Sequence, residues 1–250
     1  MWQRSPIPLS GTNPDAPAVY FMTYQQQQLH YIERIEQQFK SGSQPSTIVE
    51  PVADYITDNR ICLTSVIYLP KTLTDQIVKQ ISLPLSALDS RQYFFPPDAL
   101  HLTIQNIRVI ANPTTFTEHD IEKVKTVFSN VIPTYQSFHV HYERLFELPT
   151  SFSLCAFTDE TFGNLVAELR SELVHAGVPD DKSYASDTIV IGSTTIARYT
   201  TTPNTAFIEK LHELKHIEIG DFEAKIISLI ATNAVCRKEK TTLIDQYILQ

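Results

Sequence analysis

The chain has 250 residues, a formal net charge of −8, 42% hydrophobic residues and 19% charged residues. These values are ordinary for a globular protein and exclude a disordered chain. A chain of this length can bury a large core without disulfide bonds. The negative charge disfavours a broad surface for a long nucleic-acid duplex, because such affinity comes from many Lys and Arg contacts with phosphates. A small pocket for one phosphate, on a nucleotide or an RNA end, remains compatible with it.

The cysteines Cys62, Cys155 and Cys236 are odd in number, far apart and set in apolar runs. This pattern predicts buried reduced thiols rather than a disulfide framework or a zinc site. No apolar run reaches the roughly 20 residues that a membrane-spanning helix needs, and the first residues lack the pattern of a secretory signal. We therefore expect a cytoplasmic protein with no membrane partner.

The first sixty residues differ from the rest of the chain. Residues 1–19 contain several prolines without periodicity, which is typical of an irregular arm. Apolar residues at helical spacing then predict a helix over 20–40 that ends near Gly42. We expect residues 1–59 to form an N-terminal arm and helical extension, and residues 60–250 to form the main domain. Glutamines 25–28 could mark a surface for a protein partner, although they could also be the solvated side of the helix.

The main domain alternates strands and helices in two similar halves. Pro84 is expected to end the first helix, and Pro96 and Pro97 to connect a strand pair within 92–111. Thr117 followed by Asp120 indicates a capping box at a helix start. The predicted strands are 61–69, the pair within 92–111, 137–148, 151–158, 187–200, 221–235 and 242–249, and the predicted helices are 72–83, 117–132, 160–177 and 204–215. The order predicts an α+β fold with two pseudo-symmetric lobes, antiparallel sheets lining a central cleft and helices outside.

His101 and Thr103 lie in one predicted strand, two positions apart. Successive side chains of a strand point to opposite faces, so the imidazole and the hydroxyl must share a face. Such a pair can hold a phosphoryl group, because the ring nitrogen can transfer a proton while the hydroxyl donates a hydrogen bond to a phosphate oxygen.

Two segments of the chain resemble the paired motifs of a known family. The run PPDALHLTIQNI, which contains His101, is similar to the first H-x-T motif of the two-histidine (2H) phosphoesterases. That superfamily includes the RNA 2′,3′-cyclic phosphodiesterases historically called 2′-5′ RNA ligases. The second motif resembles the run from Ser193 to Tyr199, STTIARY, in which the position of the second histidine is held by Ser193. The resemblance extends from about Ile61 to Leu249.

The resemblance implies roles for particular residues. In the family the two histidines act as general base and general acid, the Thr or Ser hydroxyls bind phosphate oxygens, and no metal or cofactor is required. Carried over to this chain, the catalytic positions are His101, Thr103, Ser193 and Thr195, and the substrate-binding positions are Arg198 and Tyr199. Strand alternation by itself sets Arg198 on the face opposite Thr195 unless a bulge intervenes, so a structural ion pair is an alternative role for this arginine.

The serine at position 193 leaves three hypotheses open. A serine cannot shuttle protons near neutral pH as an imidazole does, and losing one positioned acid or base costs about 10²–10⁴ in rate. The protein could still open a 2′,3′-cyclic phosphate or a 2′-5′ linkage with His101 alone, with Tyr184 or Tyr199 as a candidate proton donor. It could instead bind a nucleotide or RNA end without turnover. It could also be a protein-interaction module with a vestigial cleft.

Other chemistries have weaker support in the sequence. His139 and His141 share one face of a predicted strand, but no cysteine or carboxylate cluster accompanies them to complete a metal site. The six glycines form neither a P-loop nor a dinucleotide-binding motif, and no serine-hydrolase elbow occurs.

Overall fold

The computed structural model describes residues 22–184, 186 and 188–250. The predicted arm over 1–19 and the first residues of the predicted helix 20–40 lie outside the described residues. The helices are α1 (Tyr24–Lys40), α2 (Lys71–Ile77), α3 (Leu83–Leu88), α4 (Glu118–Val131), α5 (Glu160–His175) and α6 (Thr205–Glu213). The strands are β1 (Ile61–Tyr68), β2 (Tyr93–Phe94), β3 (His101–Ala111), β4 (Phe138–Leu148), β5 (Ser151–Thr158), β6 (Gly192–Arg198), β7 (Glu218–Ala224), β8 (Ile226–Thr232) and β9 (Thr242–Ile248).

The strands form two antiparallel sheets. One has the order β3-β1-β8-β9 and the other has the order β2-β6-β5-β4-β7. Each sheet carries one of the two motif strands, β3 in the first and β6 in the second. This arrangement confirms the predicted α+β fold with two lobes.

The two lobes share one hydrophobic core. Buried residues of both sheets and of α2, α4 and α5 belong to one contiguous cluster. Phe128, Phe152 and Phe162 are among its largest fully buried side chains. Because burial of apolar area is the main favourable term in folding, this shared core holds the two sheets as one body.

Several sequence-based boundaries are confirmed. Helix α4 begins after Thr117, and the capping box with Asp120 is complete in both directions. Helix α1 ends at Lys40, and Gly42 follows it with a φ of 82°, a conformation that glycine adopts without strain. The three cysteines are buried and free.

Among the described residues, no helix is long and apolar enough to cross a bilayer.

Pro84 does not end the helix in which it lies, so that prediction was wrong. Helical backbone continues from Lys71 to Leu88 through a π-helical turn at Val78–Ser82. In this wider turn the Leu83 N–H reaches back to the Val78 carbonyl, five residues earlier. The proline lies one residue beyond, at the first turn of α3, where a missing N–H is tolerated.

Three strand predictions also need correction. The segments around Pro96 and Pro97 do not form a hairpin, since β2 pairs with β6 and β3 pairs with β1 in the other sheet. The predicted strand 221–235 is two strands, because the chain passes from the second sheet to the first at Lys225. Of the predicted strand 187–200, the described residues form a regular strand only over Gly192–Arg198.

Helix α1 packs against the second sheet. Its residues Tyr31, Ile32 and Ile35 form a separate small cluster with Phe146, Cys155 and Phe157 of β4 and β5. Gln28, at the end of the glutamine run, is fully buried. Its amide donates to the Thr158 hydroxyl over 3.1 Å and to the Val190 carbonyl over 2.8 Å, and its carbonyl accepts from the Thr158 N–H over 3.1 Å. This glutamine therefore links α1 to β5 and to the segment before β6 by hydrogen bonds, and it is not part of an outer surface.

Candidate functional site

The two motif strands approach each other closely where the lobes meet. The hydroxyl of Thr194 in β6 donates to the carbonyl oxygen of His101 in β3 over 2.8 Å. Gly192 begins β6 at the same place, and a Cβ on this residue would lie 2.9 Å from the Ala156 carbonyl oxygen and 3.1 Å from Leu102 Cδ1. A side chain at position 192 would push the strands apart, so the glycine permits the close approach.

A cavity of about 440 Å³ lies between the lobes. The structure brings His101, Thr103, Ser193 and Thr195 together in its wall. Each of these side chains is half-buried, while the intervening Leu102 and Thr194 are fully buried on the opposite faces of their strands. The alternation expected from the sequence thus holds on both strands. The polar side chains that β3, β5 and β6 contribute to the wall are His101, Thr103, Asn106, Ser151, Ser153, Ser193, Thr195 and Arg198.

The imidazole of His101 is held in one tautomer. Its Nδ1 lies 2.7 Å from the carbonyl oxygen of Ala99, which can only accept, so Nδ1 carries the proton in the neutral ring. The lone pair is then on Nε2, which lies 3.8 Å from Cys236 Sγ. Burial, with a contribution from the Arg198 charge, lowers the pKa of His101 to about 4. At neutral pH the ring is uncharged and able to accept a proton at Nε2.

Arg198 lies in the cavity wall because β6 contains a bulge. Ser151 pairs with Arg198 and Ser153 pairs with Thr195, so the register shifts by one residue at Ile196. The bulge returns Arg198 to the face of Thr195 and Ser193. The alternative of a structural ion pair was wrong, since the guanidinium Nε donates instead to the Ala234 carbonyl over 2.8 Å.

Burial lowers the pKa of Arg198 from its ordinary value, yet a guanidinium remains protonated in proteins. The Nε bond to a carbonyl fixes the planar group without neutralising its charge. The remaining N–H groups form a fork of the kind that binds a phosphate or carboxylate through two parallel hydrogen bonds.

Tyr199 is not brought to the cavity. Only 6% of its surface is exposed, and its ring packs against Phe152 and Phe207 on the helix side of the second sheet. Its position follows from the same strand, because it comes directly after Arg198 and points to the opposite face. The sequence-based assignment of Tyr199 to substrate binding does not fit this placement.

The cavity also contains cationic residues that the motif analysis missed. Lys182 and Arg170 lie in its wall beside Tyr184, which the sequence analysis had named as a candidate proton donor. The Arg170 guanidinium is 3.6 Å from the centre of the Tyr184 ring, and the Lys182 ammonium is 5.6 Å from it. Burial, together with the charges of Arg198 and Arg170, lowers the pKa of Lys182 to about 8. The irregular segment between α5 and β6 supplies Lys182 and Tyr184, and no periodicity in the sequence indicates where such a segment lies.

These cations give the cavity a charge opposite to that of the whole chain. Its wall includes Arg60, Arg170, Lys182 and Arg198. Glu50 is exposed, and it is the single carboxylate among the described residues of the wall. Arg60 is paired with Asp58 at 2.9 Å and Arg170 with Asp180 at 3.9 Å, which leaves Lys182 and Arg198 as the main sources of positive potential. The cavity is therefore suited to an anion although the protein is acidic.

The histidine pair at 139 and 141 lies elsewhere. His141 Nδ1 is 2.6 Å from an Asp221 carboxylate oxygen, and Glu143 is 3.6 Å from the other ring nitrogen. Burial is the largest single influence and lowers the pKa of His141. The contacts with Asp221 and Glu143 together outweigh it, so the pKa is raised from its ordinary value. Among the described residues, no group of three or more His, Cys, Asp or Glu side chains is arranged to hold a metal ion.

Comparison with solved structures finds this fold in other proteins. No protein-family model and no curated protein sequence matches the chain. The crystal structure of TT0787 of Thermus thermophilus superposes with a TM-score of 0.56 and 13% identity, covering 76% of this chain and 97% of the other. A structure described as a phosphoesterase superposes with a TM-score of 0.54 and 14% identity, covering 77% of this chain and 99% of the other. E. coli LigT complexed with 3′-AMP superposes with a TM-score of 0.53 and 16% identity, again covering 77% of this chain and 99% of the other.

These superpositions confirm the fold that the two motifs implied. The chain has the two-lobed fold of E. coli LigT and of the structure described as a phosphoesterase. The matched chains are spanned almost completely, so about a quarter of this chain has no counterpart in them.

Proposed function

We propose that the cavity binds the phosphate of a nucleotide or RNA end and opens a 2′,3′-cyclic phosphate or a 2′-5′ phosphodiester by hydrolysis. The observation that carries the proposal is the convergence of the His101 imidazole, several hydroxyls and the Arg198 guanidinium from both lobes on one cationic cavity. Hydroxyls and a planar guanidinium suit the nonbridging oxygens of one phosphate, because each oxygen can accept several hydrogen bonds.

In this proposal His101 acts as the general base. The Nε2 lone pair takes a proton from a water molecule while the water oxygen forms a bond to phosphorus. The bond from phosphorus to one ribose oxygen breaks, and that oxygen must gain a proton. The hydroxyls of Thr103, Ser193 and Thr195, with the guanidinium of Arg198, stabilise the charge that builds on the nonbridging oxygens.

The proton for the leaving ribose oxygen needs a second group. In the 2H scheme this is the other histidine, and Ser193 cannot replace it near neutral pH. Lys182 lies in the same wall, and its pKa of about 8 is close to the value at which a general acid works best. Tyr184 is a weaker donor, because burial raises its pKa to about 12. We therefore assign the acid role to Lys182.

The nucleotide character of the ligand is supported by the neighbours. E. coli LigT has been crystallised in complex with ATP, phosphate, NADP⁺ and 3′-AMP. Sequence identity of 13–16% carries the fold to this chain and leaves the ligand as part of the proposal.

Binding without turnover is the second candidate function. The observation that favours it is Ser193 itself, which keeps a phosphate-binding hydroxyl where the scheme requires a proton donor. In that case the cavity would hold a nucleotide or phosphorylated end, and His101 would act only as a hydrogen-bonding partner.

One assay separates the two functions. The purified protein is incubated with 2′,3′-cyclic AMP, product is measured by chromatography, and affinity is measured by calorimetry. The variants are His101→Ala and, as a matched control, His139→Ala, which removes an exposed imidazole outside the cavity. We expect turnover that His101→Ala lowers by about 10²–10⁴ and His139→Ala leaves unchanged. Saturable binding with no turnover would assign the binding function, and the absence of both would refute the proposal.

A further inference from the structure

A second, apolar region of the cavity lies beside the phosphate-binding groups. It is lined by Tyr31, Ile35, Ile48, Phe146, Leu148 and Ile191. Five of these belong to the small cluster in which α1 packs on the second sheet, and Ile48 comes from the segment that follows α1. The N-terminal part of the chain therefore builds much of this wall.

The register of the second sheet gives the distance between the two regions. Across β6, β5 and β4, Thr195 pairs with Ser153, which pairs with Phe146. One row along the strands, Arg198 pairs with Ser151, which pairs with Leu148. Neighbouring strands are about 4.8 Å apart, so each row runs from a phosphate-binding residue to an apolar one over about 10 Å.

The segment of residues 46–50, which we call the strap, lines the cavity with all five of its residues. The Thr47 N–H donates to the Ser183 carbonyl over 3.1 Å, and the Ser183 N–H donates to the Thr47 hydroxyl over 2.9 Å. The Val49 carbonyl accepts from the Thr150 hydroxyl over 2.9 Å. These bonds fix the strap to Ser183 and to Thr150, and Ile48, which lies between the two bonded residues of the strap, lines the cavity.

We propose that α1 and the strap form a subsite for the base of a single nucleotide whose phosphate is bound by His101, Thr195 and Arg198. This inference rests on the proposed function and adds the part of the ligand that the motif residues do not contact. A small-molecule site is typically an apolar pocket with a few convergent polar groups, which is the arrangement along each row. A ribose separates phosphate from base in a nucleotide and spans the serine positions between the two regions.

The test compares a ligand that has a base with one that lacks it. Binding of 3′-AMP and of inorganic phosphate is measured by calorimetry for the full chain and for Ile48→Ser. Loss of the partly buried side chain is expected to weaken 3′-AMP binding about tenfold, which corresponds to about 1.4 kcal/mol, and to leave inorganic phosphate binding unchanged. Ile56→Ser is the matched control, because Ile56 lies in the same N-terminal region, is 52% exposed and does not line the cavity.

The outcomes separate this inference from the proposed function. If Ile48→Ser binds 3′-AMP as tightly as the parent while Arg198→Met weakens binding at least tenfold, the base subsite is refuted and the phosphate site stands. If the parent binds neither 3′-AMP nor inorganic phosphate, the proposed function fails and the subsite fails with it. An equal loss of affinity for both ligands in Ile48→Ser would mean that the substitution disturbs the phosphate site, and it would also overturn the subsite.

Discussion

The hydroxyl of Thr194 donates to the carbonyl oxygen of His101 over 2.8 Å and so joins the two motif strands directly. The phenol oxygen of Tyr142 lies 2.6 Å from the same hydroxyl. Since the single hydroxyl proton of Thr194 goes to His101, Tyr142 must be the donor in the second bond. Both side chains are fully buried. We call the two bonds, from Tyr142 to Thr194 and from Thr194 to His101, the relay; they hold β3 and β6 together and so help to set the distance from the His101 imidazole to Ser193 and Thr195.

Removing the Thr194 hydroxyl should weaken both the fold and the site. The substitution Thr194→Val keeps the shape of the side chain but leaves the Tyr142 phenol and the His101 carbonyl without this partner. We expect a loss of about 1–3 kcal/mol in the free energy of unfolding, measured by urea denaturation. Thr242→Val, at an exposed position of β9, is the control and should stay within about 0.5 kcal/mol of the parent. Equal stability of the two variants would contradict the relay.

Turnover of a cyclic phosphate should have two limits in pH. His101 must be neutral to act as a base, and with a pKa of about 4 it loses this form only as the pH falls through 4. Lys182 must be charged to act as an acid, and with a pKa of about 8 it loses its proton as the pH rises through 8. We therefore expect a plateau of kcat/KM between these values, measured over a series of buffers at constant ionic strength.

Lys182→Met should lower the plateau and remove its alkaline limit. Lys79→Met, which removes an exposed charge outside the cavity, should keep both limits. A profile of Lys182→Met that still falls above pH 8 would show that another group is the acid.

Introducing a histidine at position 193 should raise the rate. The Ser193 side chain faces the cavity opposite His101, and an imidazole there can supply the proton that the leaving oxygen needs. We expect Ser193→His to increase kcat by about 10²-fold, with 2′,3′-cyclic AMP as the substrate. Ser193→Asn, which adds bulk without a titratable group, should give no increase. If both variants are equally active, the absent histidine is not what limits the reaction.

Arg198 should contribute mainly to binding. Arg198→Met removes the guanidinium and keeps much of the side-chain volume. A hydrogen bond to a charged group contributes about 1.5–3 kcal/mol, so we expect the Kd for inorganic phosphate to rise about 10- to 100-fold. Lys79→Met removes the same charge from the surface and should change the Kd less than twofold. Because the Arg198 charge lowers the pKa of His101, the imidazole of Arg198→Met should also titrate at a higher pH, as followed by NMR.

Local residue patterns were sufficient to predict most of the helices and strands and the four motif residues that face the cavity. A continuous apolar run located β1, the residue pattern located β4 and β5 closely, and Thr117 with Asp120 marked the start of α4. The period of two along a strand placed His101 with Thr103 and Ser193 with Thr195. These features depend on backbone geometry within one strand or one turn, which neighbouring residues determine.

Pairing between distant segments could not be found in the same way. β2 and β3 are adjacent in the chain and belong to different sheets, and the run 221–235 divides between sheets at Lys225. The bulge at Ile196, which turns Arg198 toward the cavity, is a mismatch between β6 and β5 and exists only when the two strands are paired.

The sequence by itself determined most of the elements in their order and the two motif strands with a serine at position 193, because each follows from residue types at fixed short spacings. The tertiary structure decided the rest of the site. Lys182 from an irregular segment, Arg170 from α5 and the strap from the N-terminal region all line the cavity. Such groups meet only when burial of the shared core brings the two lobes and the N-terminal segment together, and that packing fixes the positive charge and the low pKa of His101.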